Sequence, residues 1–363
     1  MATNFIYPDI EDKEYVLTSS VSSIQATTDK DHIEVSLMCE SGLDDEPEVF
    51  FSTSLYAFND VVELADVGSL IEEYFRKRNK VADRVSVIFD NVSMDVHFLY
   101  CENTMPDSFD HNSCFFTTSH VQCVHQDSII SLSAVNRGAA VQFKIIAAGH
   151  RKTNGEISIV SFPMQQLFNR EETVYFAVPD IIRHALNMTD QKVEDDLADI
   201  LYFAIEYGSI RKTCYLEHAD AYLTFSFRNI FNVEEFIDVV GTMTAKTEVS
   251  RDIAVCNGLS KQYNRAVERT FRVMTAPLDN SHVAALEQFI ASHRVALYHE
   301  GQKYDVVITD HTCEPSNDDE SLNTISFTWQ FAGLRPHIFD HIVNGIMPTR
   351  RKIFDDSFSL EYE

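Results

Sequence analysis

The sequence predicts a strand-rich α+β fold: two domains of antiparallel sheet or sandwich, each with a short helix packed on it, plus extended terminal arms. Three observations carry that expectation. A chain of 363 residues is longer than one domain of ordinary size. Hydrophobic residues make up 45% of it, with 26 Phe and 14 Tyr but only 11 Gly, a balance that suits packed strands better than a disordered tether. Period-two alternation recurs along the chain, while the regular β-α alternation of a doubly wound sheet is missing. The expected division is a β-rich domain over 1–165, an α+β domain over 166–345 and a carboxyl-terminal arm over 346–363.

In chain order, the first 45 residues are rich in Ser, Thr and Asp. The alternations Tyr15/Leu17/Ser19/Val21 and Ile33/Val35/Leu37 suit edge strands or an extended arm. Glu48 to Phe58 reads as a strand. A helix follows, because Leu64, Val67, Leu70, Ile71, Tyr74 and Phe75 recur at helical spacing and Arg76, Lys77 and Arg78 suit the negative end of its dipole. Val85–Phe89 and Val96–Tyr100 read as strands, and more short β-like runs lie between Cys114 and Val135. Val141, Phe143, Ile145 and Ala147 alternate, Asn154-Gly155 supplies a turn, and Ile157 and Val160 return as the second arm of a hairpin.

Beyond a boundary expected near Pro163–Glu172, Val178 to Leu186 reads as a short helix with Pro179 in its first turn. Ile200–Tyr207 and Tyr222–Phe227 read as strands. Asn232–Val240 reads as a third helix, with Asn232 as cap, Glu235 reaching back to it and Gly241 as a left-handed stop. Strand-rich stretches through Val255 and over Val267–Thr275 follow. A fourth helix is expected over Ser281–His293, burying Val283, Leu286, Phe289 and Ile290. Val295–Leu297 and Val306–Thr309 read as strands, His311–Ser321 as an acidic loop. Ile325, Phe327, Trp329 and Phe331 alternate with polar residues as a half-buried strand.

The formal net charge of −27 repels phosphate backbones and argues against nucleic-acid binding. The amino terminus lacks the basic start and apolar stretch of a secretory signal, and no apolar run approaches the ~20 residues that span a bilayer. Synthesis in the cytoplasm without membrane insertion is expected. Seven cysteines without a C-x-x-C pair read as free thiols.

Motifs for chemistry are missing. No glycine-rich phosphate loop, no nucleophile elbow and no H-E-x-x-H helix occurs. Cys101, His111, Cys114, His120, Cys123 and His125 are the right types for zinc at the wrong spacings, and they read as scattered core and surface residues. Glu314, Asp318, Asp319 and Glu320 lack the ordered spacing of a calcium loop. The expectation is therefore no catalytic residue, no metal and no cofactor. The carboxyl end carries the one concentrated contact surface: Arg350, Arg351 and Lys352, then Phe354, Phe358, Leu360 and Tyr362 among carboxylates. That much aromatic surface is costly to leave in water, so the tail either folds back or docks on a neighbour.

The carboxyl-terminal quarter, about 266–363, resembles structural proteins of tailed bacteriophages, of the tail or baseplate type carried by prophages of gut Bacteroidetes. The stretches that carry the likeness are Ala276-Pro277-Leu278 with its following helix, Val295-Ala296-Leu297, Val307-Ile308-Thr309-Asp310, the acidic loop, Leu322–Phe331 running into "FTWQFAGLRP", and the closing "RKIFDDSFSLEYE". The resemblance implies a non-enzymatic virion component, made in the host cytoplasm, whose partners are other copies of itself and other tail proteins. An adhesin or receptor-binding module and an enzyme with an unrecognised site are the alternatives.

Overall fold

Alternation in the sequence becomes sheet almost throughout. The computed structural model describes residues 3–6, 10, 13–40, 46–105, 109–134, 141–167, 173–187, 197–219, 222–278, 280–299, 301–313 and 323–333. Three apolar clusters form in chain order, and the strand-rich α+β class is what the chain adopts.

The first cluster is built from β1 (Asn4–Phe5), β2 (Val16–Leu17), β3 (Ser23–Thr27), β4 (His32–Cys39), β5 (Glu48–Tyr56), β6 (Val61–Ala65), α1 (Val67–Arg78), β7 (Ala82–Phe89) and β8 (Val92–Leu99). Five of these strands form a sheet in the order β2-β8-β7-β4-β5, and β1-β3-β6 form a second. Helix α1 buries Val67, Ile71, Tyr74 and Phe75, with Leu70 half-buried beside them, while Leu64, expected in the helix, belongs to β6 because the chain turns at Asp66 before the helix begins. It starts tight against the Thr18–Ser20 3₁₀ turn: a Cβ on Gly68 would lie 2.1 Å from the Thr18 carbonyl oxygen. Its end is closed by Asn79 in the left-handed region and by a distant residue, Asn232, whose Nδ2 donates to the Phe75 carbonyl at 3.2 Å and the Lys80 carbonyl at 2.9 Å.

The second cluster uses β9 (Val121–Val124), β10 (Ile129–Ser133), β11 (Val141–His150), β12 (Ile157–Gln166), β13 (Thr173–Ala177), α2 (Val178–Asn187), β14 (Tyr202–Tyr207) and β15 (Ile210–Leu216). The sheet order is β12-β11-β14-β15-β9, with β10-β13 as a separate pair. The β11–β12 hairpin turns through Gly155 at a φ of 72°. The expected boundary at 165/166 falls at the end of β12, inside this cluster.

The third cluster is a closed barrel in the order β16-β17-β18-β21-β20-β19. Its strands are β16 (Tyr222–Arg228), β17 (Glu234–Cys256), β18 (Leu259–Thr275), β19 (Val295–His299), β20 (Gln302–Cys313) and β21 (Ile325–Phe331), with α3 (Asn280–Ala291) between β18 and β19. Phe289 of α3 packs on Phe225, Phe227 and Phe327, and Trp329 stacks on Phe271 at 4.3 Å. The alternation read over 325–331 is real: Ile325, Phe327 and Trp329 are almost wholly buried.

One expected helix is corrected. Asn232–Val240 is not helical; the chain enters β17 at Glu234. This strand is squeezed between the barrel interior and the second cluster, so Glu235, Phe236, Ile237 and Val239 are all buried, and burial on both faces erases the period-two signal. Asn232 sits at a φ of 58° as a tight connection and not as a helix cap. Gly241 is not a left-handed stop but a mid-strand close approach, where a Cβ would lie 2.2 Å from the Met274 carbonyl oxygen. A fourth, small cluster of Val81, Leu99, Cys101, Phe116, Phe231 and Val233 ties segments from all three parts together.

Candidate functional site

Two polar constellations and one projection are the features that chemistry or binding could use. The first constellation lies where β9 and the turn before β10 meet β16 and β17. The Asp238 carboxylate accepts from the Thr224 hydroxyl at 2.7 Å, from the Ser128 hydroxyl, and from the His125 backbone N–H at 3.3 Å, with His125 Nδ1 at 3.2 Å. The His125 ring stacks on Tyr222 at 4.0 Å. Burial, followed by the Asp238 and Asp127 charges, pushes the Tyr222 hydroxyl up to about 12.

Ser, His and Asp together invite comparison with an acyl-transfer triad, but the order of bonding is wrong. The Ser128 hydroxyl gives its proton to Asp238, and its oxygen accepts the His125 backbone N–H at 2.8 Å. A nucleophile needs its proton aimed at an imidazole nitrogen. His125 Nε2 is buried and meets no polar atom. The arrangement holds β9–β10 against the barrel. A companion cluster does the same nearby: the Glu235 carboxylate accepts from Thr118 N at 2.9 Å and from the Thr117 and Thr118 hydroxyls, and buried Lys212 donates to Thr117 Oγ1 at 2.8 Å. The cavity beside it is only about 30 Å³, the space of about one or two waters.

The second constellation lines a polar cleft of about 260 Å³ between the barrel and the other two clusters. Its charged groups bond across it. Lys303 Nζ donates to both Glu234 oxygens at 2.7 and 2.6 Å, Arg294 to Asn79 Oδ1 at 3.2 Å, and Arg228 to the Asn232 carbonyl at 2.9 Å. Burial raises the Glu234 carboxyl, but the Lys303 ammonium, Arg228 and the Tyr175 hydroxyl outweigh it, and the group titrates below its ordinary value.

The projection is the far part of the β17–β18 hairpin. Pairing with β16 ends at Val240 and with β21 at Phe271, yet β17 and β18 stay paired to Cys256 and Leu259. At ~3.3 Å per residue, Thr244 to Cys256 extends roughly 40 Å as a two-stranded ribbon. The tip is a two-residue turn with φ of 54° at Asn257 and 76° at Gly258, the conformation that matches strand twist. The pleat row that carries Ile237 and Val239 into the barrel core continues outwards through Thr247, Val249, Arg251, Ile253 and Val255, of which Val249, Ile253 and Val255 are 42%, 64% and 73% exposed.

The sequence-marked residues fall as follows. Arg350, Arg351, Lys352, Phe354, Phe358, Leu360 and Tyr362 lie outside the described residues, as do Glu314, Asp318, Asp319 and Glu320. No disulfide joins any of the seven cysteines; Cys39, Cys101 and Cys214 are buried and Cys256 is exposed at the ribbon tip. Burial pushes the thiols of Cys114 and Cys214 up to about 11. Of the six His and Cys marked between 101 and 125, His125 goes to the Asp238 cluster, while His111 lies 3.5 Å from Glu14. Among the described residues no three His, Cys, Asp or Glu converge to hold a metal ion. No helix among them is long and apolar enough to cross a membrane. Sequence reading missed the ribbon, although Asn257-Gly258 between two strand-like runs is its signal.

No protein-family model matches the chain, and neither does a curated protein. Among solved structures, the crystal structure of "CBD12 from CALX1.2" is 11% identical, over 53% of this chain and 76% of that one, with a TM-score of 0.16. A likeness at that level carries no argument.

Proposed function

We propose that this chain is a non-enzymatic structural subunit of a phage tail or baseplate, which works by contact with other copies of itself and with other tail proteins. The observation that carries the reading is the β17–β18 ribbon. A two-stranded ribbon standing in water is marginal by itself. This one extends roughly 40 Å with Val249, Ile253, Val255, Leu259 and Tyr263 exposed along it, and the energy to keep it ordered has to come from a partner. Covering a Val, Ile or Leu side chain stabilises by about 1.5–3 kcal/mol, so a docked ribbon gains what a free one lacks. The polar constellations also support the reading, because their groups are spent on bonds between parts of the fold. The carboxyl-terminal tail, with its basic triplet and four apolar anchors, is a second contact in the same proposal.

The test is the mass of the full chain by light scattering, alone and mixed with the proteins encoded beside it. Multimers or mixed assemblies are expected, and removing 348–363 is expected to shrink them. A strictly monomeric chain that joins no neighbouring gene product would overturn the proposal.

A further inference from the structure

Charge is distributed unevenly along this acidic chain. Residues 241–275, which form the ribbon and its root, carry six Lys and Arg against three Asp and Glu, a net +3. Since the whole chain carries −27, the remainder carries −30. Residues 1–101 alone hold 20 Asp and Glu against seven Lys and Arg, a net −13. A basic arm on an acidic body is complementary to another copy of that body, and such complementarity steers association and fixes its register.

The first cluster also offers the arm a place to sit. Strand β5 ends its five-stranded sheet, and among the described residues no strand pairs with its outer side. Protected edges carry Lys, Pro or a bulge turned outward, or are kept very short. Strand β5 is nine residues long and contains no Lys, Arg or Pro; its one charge is Glu48, and its one irregularity, where the pairing with β4 skips Phe50, lies near its start and leaves Phe51–Tyr56 in regular register. Val49 and Tyr56 on it are exposed, and Phe58 just beyond is 79% exposed. The other long open edge, β12, is different, because Pro163 interrupts its hydrogen-bonding capacity. The two outer edges of the ribbon are likewise unpaired beyond Val240 and before Phe271.

Resting on the subunit reading above, we infer that the basic β17–β18 ribbon of one copy adds to the β5 edge of a second copy, extending the acidic sheet of its neighbour. Backbone pairing along β5 supplies the affinity, as in other strand additions, and the charge contrast selects this edge over β12. The ribbon and the edge sit on different parts of the same chain, so made in one direction the contact builds rings or open stacks, and made reciprocally by two copies it closes a twofold pair.

The experiment uses the full chain. Its weight-average mass is measured by sedimentation at 50 and 500 mM NaCl, together with amide exchange over 48–56 as concentration is raised. The wild type is expected to associate, to weaken at least tenfold at the higher salt, and to gain protection in β5. Two variants separate the contact from the fold. K246E/K261E/R269E reverses the ribbon, and S52K/S54K makes the edge basic. Each alone is expected to lose association at least tenfold, and an equimolar mixture of the two is expected to recover it. If both variants form the same multimers as the wild type, the ribbon–edge pairing is wrong while the subunit reading stands. A wild type that stays monomeric at every salt and concentration overturns the ribbon–edge pairing, and it overturns the subunit reading as well if the chain also joins no neighbouring gene product.

Discussion

Asn232 shows how much one side chain can be asked to do in this fold. Its left-handed backbone turns the chain into β17, while its carboxamide adds a second donor to the Phe75 carbonyl, which already accepts from the Lys80 N–H, and bonds the Lys80 carbonyl just beyond α1. Asn232→Ala is expected to cost about 2–3 kcal/mol, from two hydrogen bonds and a penalised conformation. Asn232→Gly, which keeps the conformation, should cost about 1 kcal/mol less; the shift in urea midpoint checks both. Gly68→Ala forces a Cβ into the Thr18 carbonyl and is expected to destabilise by about 1–3 kcal/mol by the same measurement. Glu234 ties stability to pH. Its folded titration is depressed, so its contribution is complete above the ordinary Glu value near 4.3 and is lost as pH falls below that. Glu234→Gln should flatten the part of the urea-stability profile that falls between about pH 5 and pH 3. Thiol reactivity should follow burial. At pH 8 a brief maleimide pulse is expected to label exposed Cys256 at least tenfold faster than Cys214, whose thiol burial holds protonated; mass spectrometry of peptides reads the order.

At the scale of elements, trimming the ribbon is the decisive perturbation. Replacing 247–269 by Asn-Gly leaves the Ala245–Phe271 pair and the barrel closure in place. The melting temperature is expected to change by less than about 3 °C and self-association to disappear, which calorimetry and light scattering check together. The same scale shows what a reader of residues alone can find. Helices α1, α2 and α3 were legible because each has one wet face, so their apolar residues recur every three or four positions. The strand at 325–331 was legible for the same reason with period two. The entry to β17 was not, because a strand buried on both sides has the composition of a buried helix and Asn232 and Glu235 mimic its cap. The ribbon was readable as two strands but not as a projection, since nothing local says that pairing partners stop at Val240. The polar clusters were invisible for a different reason: Asp238 and His125 are 113 residues apart, and only the packing of barrel against sheet brings them together.

At the scale of the molecule, three apolar clusters are joined by polar seams and one small apolar knot, so the parts report on one another. The ion pair in the cleft, Lys303–Glu234, joins two strands of the barrel and is reached by water, and such a pair contributes little to stability singly. The links from the barrel to the other clusters across the cleft are hydrogen bonds, from Tyr175 to Glu234 at 3.0 Å and from Arg294 to Asn79 at 3.2 Å, and they help to fix the angle at which the barrel, and hence its ribbon, is presented.

The clip between Asn232 and α1 spans 157 positions of sequence, and this sets an order of events during synthesis. The amino-terminal sheet leaves the ribosome without the two hydrogen bonds that Asn232 adds at the end of its helix, and it stays that way until the 152 positions from Lys80 to Asn232 have followed. Domains tend to fold as they emerge, one after another. Here the first to appear is completed by a residue near the start of the last, so a nascent chain halted before Asn232 should hold the end of α1 less firmly, and the β17–β18 ribbon emerges only after the residue that makes this latch.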